Sequence, residues 1–153
     1  MLLREWAAAK YPRDRLTEQV RLGPTVCHLV GVEVSPALEA ALRVNNWYAD
    51  GLIIRETETL LIESKMKPNP GAVGQVLFYQ RLGFSTPLLS AAMGHPITPV
   101  VLFAEDDHAV RVFAQTWGVR VELYTPSWIA DYLTQVQFRA RSTASPQPPA
   151  EPS

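Results

Sequence analysis

Asn46-Trp47-Tyr48-Ala49-Asp50-Gly51-Leu52-Ile53-Ile54-Arg55-Glu56-Thr57-Glu58-Thr59-Leu60-Leu61-Ile62-Glu63-Ser64-Lys65-Met66-Lys67 holds two apolar runs parted by a polar segment. The period is two: Tyr48, Asp50, Leu52 and Ile54 fall on one face, and Leu61, Glu63 and Lys65 share a face of the second run. This pattern predicts a β-hairpin with its turn inside Arg55-Glu56-Thr57-Glu58. A turn centred between Glu56 and Thr57 sets Asp50 opposite Glu63, with Cβ atoms about 5 Å apart.

Two like charges so placed repel, and the neighbours Ala49, Gly51, Leu52, Leu61 and Ile62 are residues of a sheet interior. Such a pair must share a proton or meet a cation. A divalent metal resolves the conflict, since one or two carboxylates completed by water and a substrate phosphate suit Mg²⁺, with Mn²⁺ as the alternative. Lys65, on the face of Glu63, adds positive charge that can orient water or stabilise charge building on phosphorus. The bland alternative is a solvated face of alternating charges.

On the N-terminal side, Leu2 to Lys10 carries strong helix formers and stops before Pro12, which predicts a first helix. Val20–Leu22 and Cys27–Val34 read as short strands around the Gly23-Pro24 turn, and Ser35-Pro36 opens a short helix through Leu42. On the C-terminal side, Asn69-Pro70 caps a helix through Leu82 that stops near Gly83. Gln75 and Tyr79 share one face of it, and Gly71 and Gly74 are expected to let it approach the sheet. That face either reaches the metal water or a phosphate, or simply packs. Ile97–Ala104 reads as a buried strand, Asp106–Trp117 as an amphipathic helix capped by Glu105-Asp106-Asp107, Val119–Tyr124 as another strand, and Ser127–Phe138 as a last helix. Strands alternating with helices imply an α/β fold, a mixed central sheet flanked by helices.

A chain of 153 residues, 47% apolar and 19% charged, holds one core, so residues 1–138 are expected to form a single domain and 139–153, rich in Pro, Ser and Ala, a disordered tail. No apolar run approaches the roughly 20 residues of a membrane helix, and Met1–Lys10 lacks a secretion-signal layout, so a cytoplasmic protein without membrane contact is expected. The single cysteine, Cys27, excludes an internal disulfide and all-cysteine metal centres, and is expected to be a small buried residue. A net charge of -1 gives no global attraction to nucleic acid, so any such binding rests on local cations.

Asp50, then Glu63-Ser64-Lys65 at the end of an apolar strand, then Gln75-Val76-Leu77-Phe78-Tyr79 together resemble the signature of the PD-(D/E)XK nuclease superfamily, including the Gln-x-x-x-Tyr helix motif of RecB-type members. The resemblance spans roughly Met1 to Tyr124 and implies a restriction-endonuclease-like core. It implies that Asp50 and Glu63 ligate a catalytic metal, that the carbonyl of Ser64 adds a ligand, that Lys65 assists the attacking water, and that Gln75 and Tyr79 position substrate. Glu5, on the first helix, is the counterpart of a further acidic ligand in many relatives. His28 is the only upstream histidine for the ligand found in RecB-type members, at an unconvincing spacing. Ala49 replaces the family's proline.

The function so implied is Mg²⁺-dependent hydrolysis of DNA, acting alone, as a homodimer or in a larger complex. An RNA-directed endonuclease and a non-catalytic nucleic-acid- or protein-binding module on the same fold are the alternatives. Lys67, Arg43, Arg55 and Arg81 are candidate phosphate contacts. Trp47 with Tyr48 either stacks on a base or fills the core, core filling being the expectation for Trp47, and His95 and His108 are expected to lie at the surface.

Overall fold

A computed structural model describes residues 1–23, 47–90 and 94–143. Cys27, His28, Arg43, the strand expected over Cys27–Val34, the helix expected up to Leu42 and the tail beyond Thr143 lie outside these residues. The described elements are α1 (Leu2–Lys10), β1 (Leu16–Leu22), β2 (Trp47–Ile54), β3 (Thr59–Lys65), α2 (Pro70–Gly83), the short α3 (Pro87–Ser90), β4 (Ile97–Phe103), α4 (His108–Thr116), β5 (Arg120–Leu123) and α5 (Ile129–Thr143). No helix among them is long and apolar enough to cross a membrane.

The hairpin forms with the register that its turn dictates, Gly51 facing Ile62 and Leu52 facing Leu61. One five-stranded sheet results, in the order β1-β2-β3-β4-β5. Its first two pairings are antiparallel and its last two parallel, so the fold is α/β with a mixed sheet. β3 is the central strand. Thr59 to Glu63 is buried throughout, as expected where both faces are covered by helices.

Alternate residues of the strands feed the two faces. Ile53, Leu60, Ile62, Val100 and Leu102 pack with Leu2, Leu3, Trp6 and Ala7 of α1 and Ile129 of α5. On the other face, Val101 and Phe103 meet Ala72, Val73 and Val76 of α2 and Val110 and Ala114 of α4. Leu52 and Leu61 join Tyr79 there, with Val20 and Leu22 of β1.

The alternation slips at one place. Leu16 and Gly51 lie on the α1 face, yet Val20 and Ala49 are buried on the α2 face. Between them stands Gln19, whose φ of 52° is a left-handed conformation that side chains rarely adopt. Its register position, between the pairs Glu18–Gly51 and Val20–Ala49, is that of Asp50. The twist therefore falls where the hairpin carries its first carboxylate.

Several expected boundaries move. β1 starts at Leu16, well before Val20, and α5 runs past Phe138 to Thr143 because Arg139, Ala140 and Arg141 are helix formers and the first proline comes at Pro146. Asp107 alone caps α4, accepting from the amide of Val110 at 3.0 Å. Gly74 does not serve close packing, since a Cβ there would meet nothing within 4 Å; Gly71 makes room for the side chain of its cap, Asn69. Close approach is allowed instead at Gly51, where a Cβ would fall 2.9 Å from Leu3 Cδ2 on α1, and at Gly83, where it would fall 3.0 Å from Ile97 Cδ1 on β4.

Candidate active site

β2 and β3 stop pairing at Gly51–Ile62, and the next residues of each strand are Asp50 and Glu63. The Asp50 carboxylate takes up the freed backbone donor: its Oδ2 accepts from the Ser64 amide at 2.9 Å and from Ser64 Oγ at 2.9 Å. Asp50 is thus pinned to β3 one residue beyond Glu63. With Ser64, Lys65 and Met66 it opens onto a cleft of about 360 Å³, walled by Met1, Leu2 and Leu3 of α1 and by Glu18 and Gln19 of β1.

Glu63 is the one buried charged side chain among the described residues, at 1% exposure. Its Oε1 receives Lys65 Nζ at 2.6 Å, while Oε2 is buried without a hydrogen-bond partner. Burial pushes the Glu63 carboxyl above the usual range; the Lys65 contact opposes this and the charge of Asp50 adds to it. The same contact with Glu63 holds Lys65 firmly in its ammonium form, against the burial of its stem and with further help from Asp50.

α2 closes the site from the second face. Asn69 starts the helix, its side chain accepting from the Gly71 amide. Two turns on, Gln75 Nε2 donates to the Tyr79 hydroxyl. Burial raises the pKa of the Tyr79 phenol, and the negative charges of Glu63 and Asp50 raise it further. Asp50, Glu63, Lys65 and Tyr79 thus lie within one another's electrostatic reach, with Gln75 attached through Tyr79.

Other candidates fall elsewhere. Glu63, Gln75 and Tyr79 lie behind the cleft wall rather than on it, and Glu5 is turned away from it: its Oε1 accepts from Trp128 Nε1 at 2.8 Å, because α5 brings the indole alongside α1. Arg55 sits at the hairpin turn, the opposite end of β2 from Asp50, and is bound to Asp14 at 3.0 Å and Glu58 at 3.0 Å. Glu58 also accepts from Arg120 at 2.8 Å and Thr98 at 3.2 Å, so this end of the sheet is an ion-pair clamp. Arg81 is exposed but lies two residues past Tyr79, about 200° around the helix from it. Lys67 is exposed just beyond β3, next to the site. His95 and His108 are exposed, as expected.

Trp47 departs furthest from expectation, being 51% exposed. It pairs with Leu22 at the end of β2, beyond the last pair with β3, so no central strand flanks it. Glu18, Gln19 and the Ser64 hydroxyl escape a reading of residue patterns. Only the register of β1 brings Glu18 beside Gly51, and nothing in residue type announces the backbone of Gln19.

The donor set suits a hard cation: two carboxylates, one with a buried oxygen lacking any partner, and no sulfur. Among the described residues no group of three or more His, Cys, Asp or Glu is placed to hold a metal, so water and substrate oxygens must complete the shell of any ion bound here. Comparison with known proteins returns no match to this chain, whether among family models, curated proteins or solved structures.

Proposed function

We propose that this chain is a metal-dependent nuclease with a restriction-endonuclease-like core, hydrolysing phosphodiester bonds of DNA at the Asp50–Glu63–Lys65 site. The observation that carries the reading is the orphaned Oε2 of Glu63. Holding a carboxylate in a central strand costs several kcal/mol, and Lys65 partners only one of its two oxygens. Structural need does not explain this, because an apolar residue there would pack at no such cost. A cation held by Asp50 and Glu63, with the Ser64 carbonyl, would restore the balance.

Mg²⁺ or Mn²⁺ held by Asp50, Glu63 and the Ser64 carbonyl would supply Lewis-acid charge to the phosphate and would lower the pKa of bound water. The chain's own groups do the rest. Lys65 stays protonated because Glu63 holds it so, and its ammonium can donate to the charge that develops on the phosphate oxygens. The amide of Gln75 orients the Tyr79 hydroxyl, which remains protonated and offers a donor to the same phosphate. Glu63 is kept from bulk water by its burial, at 1% exposure, on the face that α2 covers. Attack of water in line on phosphorus would form one P–O bond and break the bond to the leaving sugar oxygen, the water giving one proton to solvent and the leaving oxygen taking one from it.

The test is cleavage of linear, circular, single-stranded and branched DNA, and of RNA, by purified protein with Mg²⁺ or Mn²⁺. Activity is expected on DNA, and EDTA or Asp50→Ala should abolish it. Cleavage that persists in Asp50→Ala removes the site. Cleavage confined to RNA changes the substrate class, and no cleavage of any substrate favours a binding module.

A further inference from the structure

Trp47 and Phe78 are large rings that hydrophobicity alone would bury, yet they are 51% and 44% exposed. They are also ordered against each other, meeting edge to face with centroids 5.0 Å apart and planes at 77°. Phe78 and Trp47 each lie 6.4 Å from Tyr79, whose hydroxyl stands in the field of Glu63, Asp50 and Lys65. An exposed, edge-buttressed indole is therefore continuous with the acidic site, one ring away from it.

The charges near the site sharpen the point. Phosphate affinity for a duplex normally comes from many cations. Lys65 and Lys67 stand near the site, Arg21 is in register with Tyr48 beside Trp47, and Arg4 pairs with Glu18 on the cleft wall; Arg55 is spent in the clamp and Arg81 faces elsewhere. For unpaired strands, stacking on an aromatic face adds to what such cations supply. Within a duplex both faces of a base are covered by its neighbours, so an indole can stack only on an unpaired or terminal one.

We propose that Trp47, braced by Phe78, is a stacking platform for an unpaired base beside the scissile phosphate, which makes the preferred substrate a single-stranded or frayed end of DNA. The choice of ligand rests on the nuclease reading above. The platform sets where the strand lies, while Asp50, Glu63 and Lys65 carry the chemistry.

The experiment measures anisotropy of a labelled 12-mer oligothymidylate and of a matching duplex, in EDTA so that binding is read without cleavage. Wild type is expected to bind the single strand more tightly. Trp47→Ala should weaken that binding by about 5- to 150-fold, the range for loss of one stacked base, and leave duplex binding nearly unchanged. Trp47→Phe should retain most of it, which separates lost stacking from a damaged fold. Equal affinity of wild type and Trp47→Ala for the single strand overturns the proposal. So does a dimer, seen by sedimentation, that Trp47→Ala dissociates, since the rings would then be a contact between copies. Trp47-dependent binding in a protein that cleaves nothing supports the platform and defeats the nuclease; cleavage with no single-strand preference does the reverse.

Discussion

Replacing Glu63 by glutamine should make the metal-free protein more stable while destroying the site. Glu63 is 1% exposed, and its Oε2 has no partner. An unsatisfied buried acceptor costs about 1–3 kcal/mol, more when charged. Lys65 offsets part of this, but its side chain is 39% exposed and solvent screens the pair. In Glu63→Gln the amide oxygen still accepts from Lys65 and the buried charge is gone. The amide nitrogen inherits the unpartnered place of Oε2, so only the cost of the charge is relieved; a net gain of about 1 kcal/mol is expected, which for a domain of this size raises Tm by about 2–4 °C. The sign follows from linkage. Burial, opposed by Lys65, raises the Glu63 pKa, so the carboxyl favours the folded state below its unfolded pKa and loses that contribution as pH rises through the folded value. The gap between variant and wild type should therefore be small in mild acid and widen toward neutral pH. The assay is thermal unfolding by circular dichroism from pH 4 to 8 in EDTA, repeated in Mg²⁺. Wild type should gain about 2.7 kcal/mol at a Mg²⁺ concentration one hundred times its Kd, and Glu63→Gln far less. A variant that melts below wild type at neutral pH in EDTA, or a gap indifferent to pH, would refute the argument that Glu63 is held under electrostatic strain.

At the other end of the sheet, Glu58→Gln should cost about 1 kcal/mol at neutral pH, a modest figure because the Arg55 and Arg120 side chains are over one third exposed. Arg120 lowers the Glu58 pKa, so its contribution exists above the unfolded carboxylate pKa and disappears as pH falls through the folded one; a deficit that persists in acid contradicts this. Asn69→Ala removes the cap of α2 and should lower the unfolding free energy by about 1 kcal/mol, read as a lower urea midpoint at unchanged slope. Gly51→Val forces a side chain into Leu3 and should destabilise by about 1–3 kcal/mol; a neutral result shows that α1 can yield there. Lys65→Ala should keep the far-ultraviolet spectrum and lose about 10²–10³ of cleavage rate, and a loss under tenfold excludes a role for its ammonium in the transition state.

Local rules were enough for most of the chain. Period-two alternation, a polar turn and the Asn69-Pro70 start determined the hairpin, its register and α2, because each depends on residues near in sequence and on one repeating geometry. The same spacing put Gln75 and Tyr79 on one helix face, but the direct pairing of Asp50 with Glu63 that it implied does not form, since the β2–β3 ladder ends at Gly51–Ile62 and Asp50 bonds to Ser64 instead. Tertiary structure decided what those groups do. Packing of β1 against β2 inserted the left-handed Gln19 and turned Asp50 toward the Ser64 amide. The docking of α5 on α1 removed Glu5 to Trp128, and the meeting of β1, the hairpin turn, β4 and β5 consumed Arg55. The end of the β2–β3 ladder left Trp47 uncovered. Each of these outcomes joins residues distant along the chain, where side-chain type sets no preference and only the burial of whole elements selects the partner.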